Sequence, residues 1–183
     1  MDYEITHKLQ KELSSGEPLL WSGRPQQGVV LRGADAFLIP FSLLWGGFAL
    51  FWEFSAFKSG APIFFLLFGG VFVVMGLYFI FGRFIADSMV RGRTYYGVTN
   101  DRVLILSEFP VRRLKSLNLR TLTDITFTSK SNGKGTITFG PTASWTEGIR
   151  WSGMGSYKSP SFELVDNVKS VYDIIRDAQK KAT

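Results

Sequence analysis

Between Lys58 and Arg83 the chain runs for 24 residues without a charge, SGAPIFFLLFGGVFVVMGLYFIFG. At about 1.5 Å rise per residue such a helix reaches roughly 36 Å, enough to cross a hydrocarbon core of about 30 Å with some tilt. From Ile63 to Phe81 it holds 14 Leu, Ile, Val or Phe residues. At about −0.3 to −0.6 kcal/mol each, these favour insertion by roughly 4 to 8 kcal/mol. A buried core hairpin in a soluble protein is the competing reading, but a chain of 183 residues has little material with which to cover a helix that is apolar on every face.

A second run, 17 uncharged residues between Asp35 and Glu53, contains Pro40 and nine Leu, Ile or Phe residues. It reaches only about 26 Å and is marginal alone, so it is expected to insert as the partner of the longer run in a helical hairpin. The expected spans are about residues 36–54 and 61–82, with Trp45 and Trp52 as anchors. Gly46, Gly47, Gly69, Gly70 and Gly76 would let the two backbones approach closely. Residues 1–33 are charged, which is unlike a cleavable secretory signal.

The two runs divide the chain into a cytoplasmic amino-terminal segment (1–33), a hairpin (34–85) and a carboxy-terminal domain (86–183). The net charge of +6 is not evenly distributed: residues 1–35 carry 4 basic and 5 acidic side chains, residues 84–183 carry 15 and 9. Arg24 and Arg32 precede the first run and Arg83, Arg91, Arg93 and Arg102 follow the second, against Lys58 alone in the loop between them. The excess of basic residues on the inner side then predicts both termini in the cytoplasm and a multi-pass protein of the cytoplasmic membrane.

Beyond Arg83 the continuous apolar run gives way to alternation. Thr94-Tyr-Tyr-Gly-Val-Thr99 and Arg102-Val-Leu-Ile-Leu106 read as two strands joined by a tight turn, and Leu117 and Leu119 mark a third. Ile125 and Phe127, then Ile137 and Phe139, alternate with polar residues across a Ser131-Asn-Gly-Lys-Gly135 turn. Residues 140–160 have no period and read as a long loop, after which Phe162 and Leu164 make a last short strand. Val168, Val171, Tyr172, Ile175 and Ala178 recur at helical spacing behind Asp166 or Asn167, either able to cap, with Lys180 and Lys181 at the favourable end of the dipole.

Tyr96-Gly-Val-Thr-Asn-Asp-Arg-Val-Leu-Ile105, Gly135-Thr-Ile-Thr-Phe-Gly140 and Pro160-Ser-Phe-Glu-Leu-Val-Asp-Asn-Val-Lys-Ser-Val-Tyr172 resemble the bacterial pleckstrin-homology-like (PH-like) domains found on small membrane proteins. Gly16-Glu-Pro-Leu-Leu-Trp-Ser-Gly-Arg-Pro25, ahead of a two-helix hairpin, is similar to the same proteins. The resemblance implies a membrane-anchored, mainly β architecture: a partly open barrel of about seven strands capped by the final helix, at the inner membrane of a bacterium. Eukaryotic relatives of this fold often bind phosphoinositides through basic residues in the first turn between strands; here the turn Thr99–Arg102 holds a single one, and the resemblance supplies no ligand.

The absence of cysteine excludes disulfides, thiolate metal sites and cysteine nucleophiles. His7 is the only histidine and lies on a short amphipathic segment with Ile5, Leu9 and Leu13, so a surface position is expected for it. No residue set has catalytic or metal-ligand spacing, Gly133-Lys-Gly135 is a hairpin turn and not a phosphate loop, and no cofactor, metal or enzymatic activity is expected. Two features remain as a candidate binding surface. Arg112, Arg113 and Lys115 lie between the second and third expected strands, where they read either as a solvated edge that blunts sheet pairing or as a surface for anionic lipid headgroups or a protein. Trp145 and Trp151, in the unpatterned loop, either fold back over the core or join that surface. The expected function is a non-enzymatic, membrane-anchored adaptor that docks a lipid surface, a protein partner or a copy of itself. A structural subunit of a transport or envelope-stress assembly is the alternative. Nucleic acid is not an expected partner, since the basic residues crowd towards the membrane segment.

Overall fold

The structure, a computed structural model, describes residues 3–141 and 159–182. The described chain divides into two compact units, one of residues 29–88 and one assembled from residues 3–28, 89–141 and 159–182.

The first unit is a helical hairpin. Helix α2 (Asp35–Lys58) and helix α3 (Ile63–Leu77) are joined by a short turn around Gly60. After α3 one π-helical turn, Tyr78–Gly82, leads into α4 (Arg83–Gly92), so the second helical stretch runs from Ile63 to Gly92. Both stretches, 24 and 30 residues, are long and apolar enough to cross a membrane, with mean hydropathy of 1.5 and 2.6. The surface between α2 and α3 is built from small residues. Ser42, Gly46 and Ala49 of α2 are buried at helical spacing, as are Gly69 and Gly76 of α3. A Cβ on Gly76 would lie 2.9 Å from the Gly46 Cα, so the backbones meet with nothing between them. The large side chains point away: Leu44, Phe48, Phe64 and Val74 are all well exposed. A soluble helix pair would show the reverse distribution.

The second unit has seven antiparallel strands in two sheets. β1 (Leu19–Gly23), β2 (Thr94–Thr99), β3 (Arg102–Ser107) and β4 (Arg113–Asn118) form one sheet in that order. β5 (Ile125–Ser129), β6 (Gly135–Phe139) and β7 (Ser161–Val165) form the other. The expected barrel is therefore two sheets that do not close on one another, with β1 and β4 at the edges of the first and β5 and β7 at the edges of the second. Helix α5 (Val168–Ala182) turns Val168, Val171, Ile175 and Ala178 inward against Val98, Val103, Ile137, Phe139 and Phe162, the apolar stripe expected from its spacing. A three-residue 3₁₀ turn, Leu119–Thr121, carries the chain from β4 towards β5, and the Gln179 amide donates to the carbonyls of Leu119 (3.0 Å) and Leu122 (2.7 Å).

Four details differ from the sequence reading. Residues 1–33, expected to stand apart from the domain, supply part of it. Helix α1 (Tyr3–Gln10) lays Ile5 and Leu9 on Tyr95 and Leu106, and β1 pairs with β2. Thus β2 is buried on both faces, and Gly97 has no side chain because a Cβ there would meet Leu9 at 3.2 Å and Leu19 at 3.3 Å. Secondly, the helix entering the domain continues to Gly92, past the expected boundary at Ala86. Thirdly, the strand expected around Leu117 and Leu119 starts earlier, at Arg113, and ends at Asn118; Leu119 is buried in the 3₁₀ corner. Finally, β7 buries Phe162 and Val165, not Leu164, because a bulge interrupts its pairing with β6. Leu164 sits in that bulge with φ of 52°, a region a leucine rarely enters.

Candidate functional site

The chain leaves the four-stranded sheet after Gly23 and re-enters it at Thr94, and everything between, both apolar helices included, is an insertion between two paired strands. Gly23 lies opposite Tyr96, so both chain passages meet at one end of the sheet. Arg91 holds them together. Its guanidinium, 3% exposed as a residue, donates to the carbonyls of Gln26 and of Gly28, the latter at 2.6 Å. The Gln27 amide returns a bond to the Arg91 carbonyl at 3.3 Å. The Gln26 N–H donates to the Leu164 carbonyl at 3.0 Å, so the bulge in β7 turns that carbonyl away from the ladder and towards the passage. In the sequence Arg91 reads only as one of the basic residues that set orientation. Its signal as a structural clamp was absent, since the groups that it binds are backbone carbonyls.

The same end of the sheet carries the basic cluster. Thr94 is opposite Ser107, and Ser107 opposite Arg113, which places the β3–β4 loop, residues 108–112, beside the entry into β2. Register separates the three expected residues. Arg113 and Lys115 share one face of β4, opposite Ser107 and Ile105, and both are exposed. Neither has an ion pair among the described residues. Arg112 precedes the strand and pairs with Glu12, so it is not free with the other two. Arg93, exposed, joins the group from the other side with its guanidinium 5.6 Å from the Phe109 ring. Pro110 and Val111 at the loop tip are exposed, Val111 by 60%. The other charge in the loop, Glu108, is taken up by Lys8 at 2.7 Å, and together with the Tyr95 hydroxyl, also 2.7 Å away, it holds the ammonium above its ordinary range. Trp145 and Trp151 lie outside the described residues.

At the opposite end of the sheet, in the turn between β2 and β3, Arg102 is fully engaged. It forms a bidentate pair with Glu17 (2.9 and 2.6 Å) and also donates to the Glu12 carbonyl and the Ser14 hydroxyl. The Arg102 guanidinium draws the Glu17 carboxyl down to about 2, against the opposing effect of burial. Thr99 closes the turn, its hydroxyl accepting from Arg102 N–H (3.1 Å) and donating to the Arg102 carbonyl (3.0 Å). With β1 in the sheet, this turn is the second connection between strands and not the first, as the sequence suggests, and its single basic residue is committed to an internal ion pair. Burial raises the Tyr96 hydroxyl above its ordinary range, where it accepts from the Glu163 N–H at 3.1 Å and serves the core.

His7 is exposed on α1. Among the described residues no three His, Asp or Glu side chains gather in a way that could hold a metal ion. No protein-family model matches the chain, and comparison with curated proteins and with solved structures found no match.

Proposed function

We propose that the chain is a membrane-anchored binding module: a PH-like domain held at the cytoplasmic face of a bacterial inner membrane by a two-span hairpin, acting as a non-enzymatic adaptor. The observation that carries the reading is the insertion of both apolar helices between the paired strands β1 and β2. Strands can pair only on one side of a bilayer, so the hairpin crosses an even number of times. Two crossings satisfy that requirement together with the excess of basic residues flanking the outer ends of the two helices. Four strands, three strands and a final helix, in that order along the chain, support the PH-like reading.

Because the chain has no cysteine, topology can be read with single introduced thiols. A cysteine at Ser59, in the turn of the hairpin, should react with an impermeant reagent added outside intact cells, and one at Ser14 should react only after the membrane is opened. Labelling of both from outside, or of Ser14 alone, overturns the reading. For the adaptor role, a photo-crosslinker at Lys115 in intact membranes should give one defined adduct that disappears with Lys115 moved to Asn132 on the far hairpin turn. Equal adducts from both positions would remove the support for a docking face.

A further inference from the structure

The geometry points to the β3–β4 loop and its basic flank as a surface that rests on an anionic phospholipid bilayer, an inference that presupposes the anchored reading above. Arg93, Arg113 and Lys115 are exposed cations grouped at one end of the four-stranded sheet, while the neighbouring Arg112 and Lys8 are neutralised by Glu12 and Glu108. Between them the loop presents Pro110 and Val111 to solvent. An acidic peptide would account for the cations but not for an apolar tip at their centre. A bilayer interface accommodates both, with the aliphatic tip at the boundary of headgroups and acyl chains and the cations at the phosphates.

Connectivity makes the contact possible at low intrinsic affinity. Arg93 follows the end of α4 at Gly92 directly, so only the ten residues of α4 separate this end of the sheet from the apolar run that ends at Gly82. Tethering of that kind gives an effective concentration on the order of millimolar. Each cation beside an anionic surface multiplies the ratio of docked to undocked domain about five-fold, an effect that fades as salt rises. The function of the contact is orientation: it fixes which side of the domain faces the cytoplasm.

The full-length chain with Val111→Cys, carrying an environment-sensitive fluorophore, tests this in vesicles of phosphatidylcholine alone or mixed with phosphatidylglycerol, each doped with brominated lipid. The probe should be quenched in the anionic vesicles at low salt and released at high salt or in the neutral ones. The same probe at Asn132→Cys should stay unquenched throughout. Arg113→Gln with Lys115→Gln should lower the docked ratio about 25-fold, two factors of five, with an unchanged circular-dichroism spectrum. An unquenched Val111 probe in anionic vesicles, or quenching that ignores lipid charge and the double substitution, overturns the inference. Alkaline carbonate washing of the same samples separates the two claims. Protein that washes off removes the anchored reading and this inference with it, whereas protein that stays with an unquenched probe overturns the bilayer contact alone.

Discussion

The Glu17 carboxylate is 6% exposed and accepts two bonds from Arg102 and one, at 2.9 Å, from the Ser14 N–H. Its folded value of about 2 lies below its ordinary 4.5, so folding favours the ionised form. The resulting stability is present in full above about pH 4.5 and is lost as the pH falls through about 2. After allowance for solvent around Arg102, Glu17→Gln should cost about 1 to 2 kcal/mol at pH 7 and almost nothing at pH 2, readable as a narrowing gap between thermal midpoints. Phe139 tests the core in the same way. It is 2% exposed and meets Phe162 edge to face at 5.1 Å, so Phe139→Ala should cost about 3 to 5 kcal/mol in a denaturant titration. Its inward position was legible, because Ile137 and Phe139 alternate with threonines. The partners of Arg112 and Arg102 were not: Glu12 lies 100 residues from Arg112 and Glu17 lies 85 from Arg102, and nothing local couples them.

Elements were legible where one physical pattern ruled a whole segment. The apolar runs announced α2 and α3 because a single charge would have been costly there, and the β5–β6 hairpin announced itself by its period of two. β4 broke that rule: Leu117 is its one half-buried residue, and the exposed Arg113 and Lys115 that precede it on the same face read as a loop. β1 is five residues long and its partner follows after a 70-residue insertion, so no local signal could pair them. Within the hairpin, the closeness of α2 to α3 depends on glycine. Gly76→Leu would drive a side chain into the Gly46 backbone, and the helices should separate by about 2 Å towards ordinary interaxial distances. Spin labels on the exposed positions Leu44 and Val74 would report it as a lengthened distance in pulsed electron resonance; an unchanged distance would mean that the two backbones are not in contact.

For the molecule as a whole, the sequence divides at the apolar runs but the fold does not. A chain of residues 86–183 lacks α1 and β1, which leaves Tyr95 and Leu106 uncovered and the outer edge of β2 unpaired. It should be aggregated or poorly ordered. By contrast, Arg91 holds Gln26 and Gly28 beside the start of β2, so replacing residues 29–88 by a short Gly-Ser linker should give a water-soluble, β-rich monomer with dispersed amide resonances. Ordered behaviour of the first chain and disorder of the second would reverse the assignment of α1 and β1 to the domain.

The insertion also imposes a timetable on synthesis. The segment that will become β1 is made first, yet its hydrogen-bonding partner follows 70 residues later. At about 5 to 20 residues per second the ribosome needs roughly 4 to 14 s to deliver it. During that interval α1 and β1 have an apolar side and no sheet to lie on, while α2 and α3, long and apolar enough to cross a membrane, are being made. The first strand can be paired only once the apolar helices have been made, so a nascent chain stalled in the hairpin leaves an unpaired strand exposed to other chains.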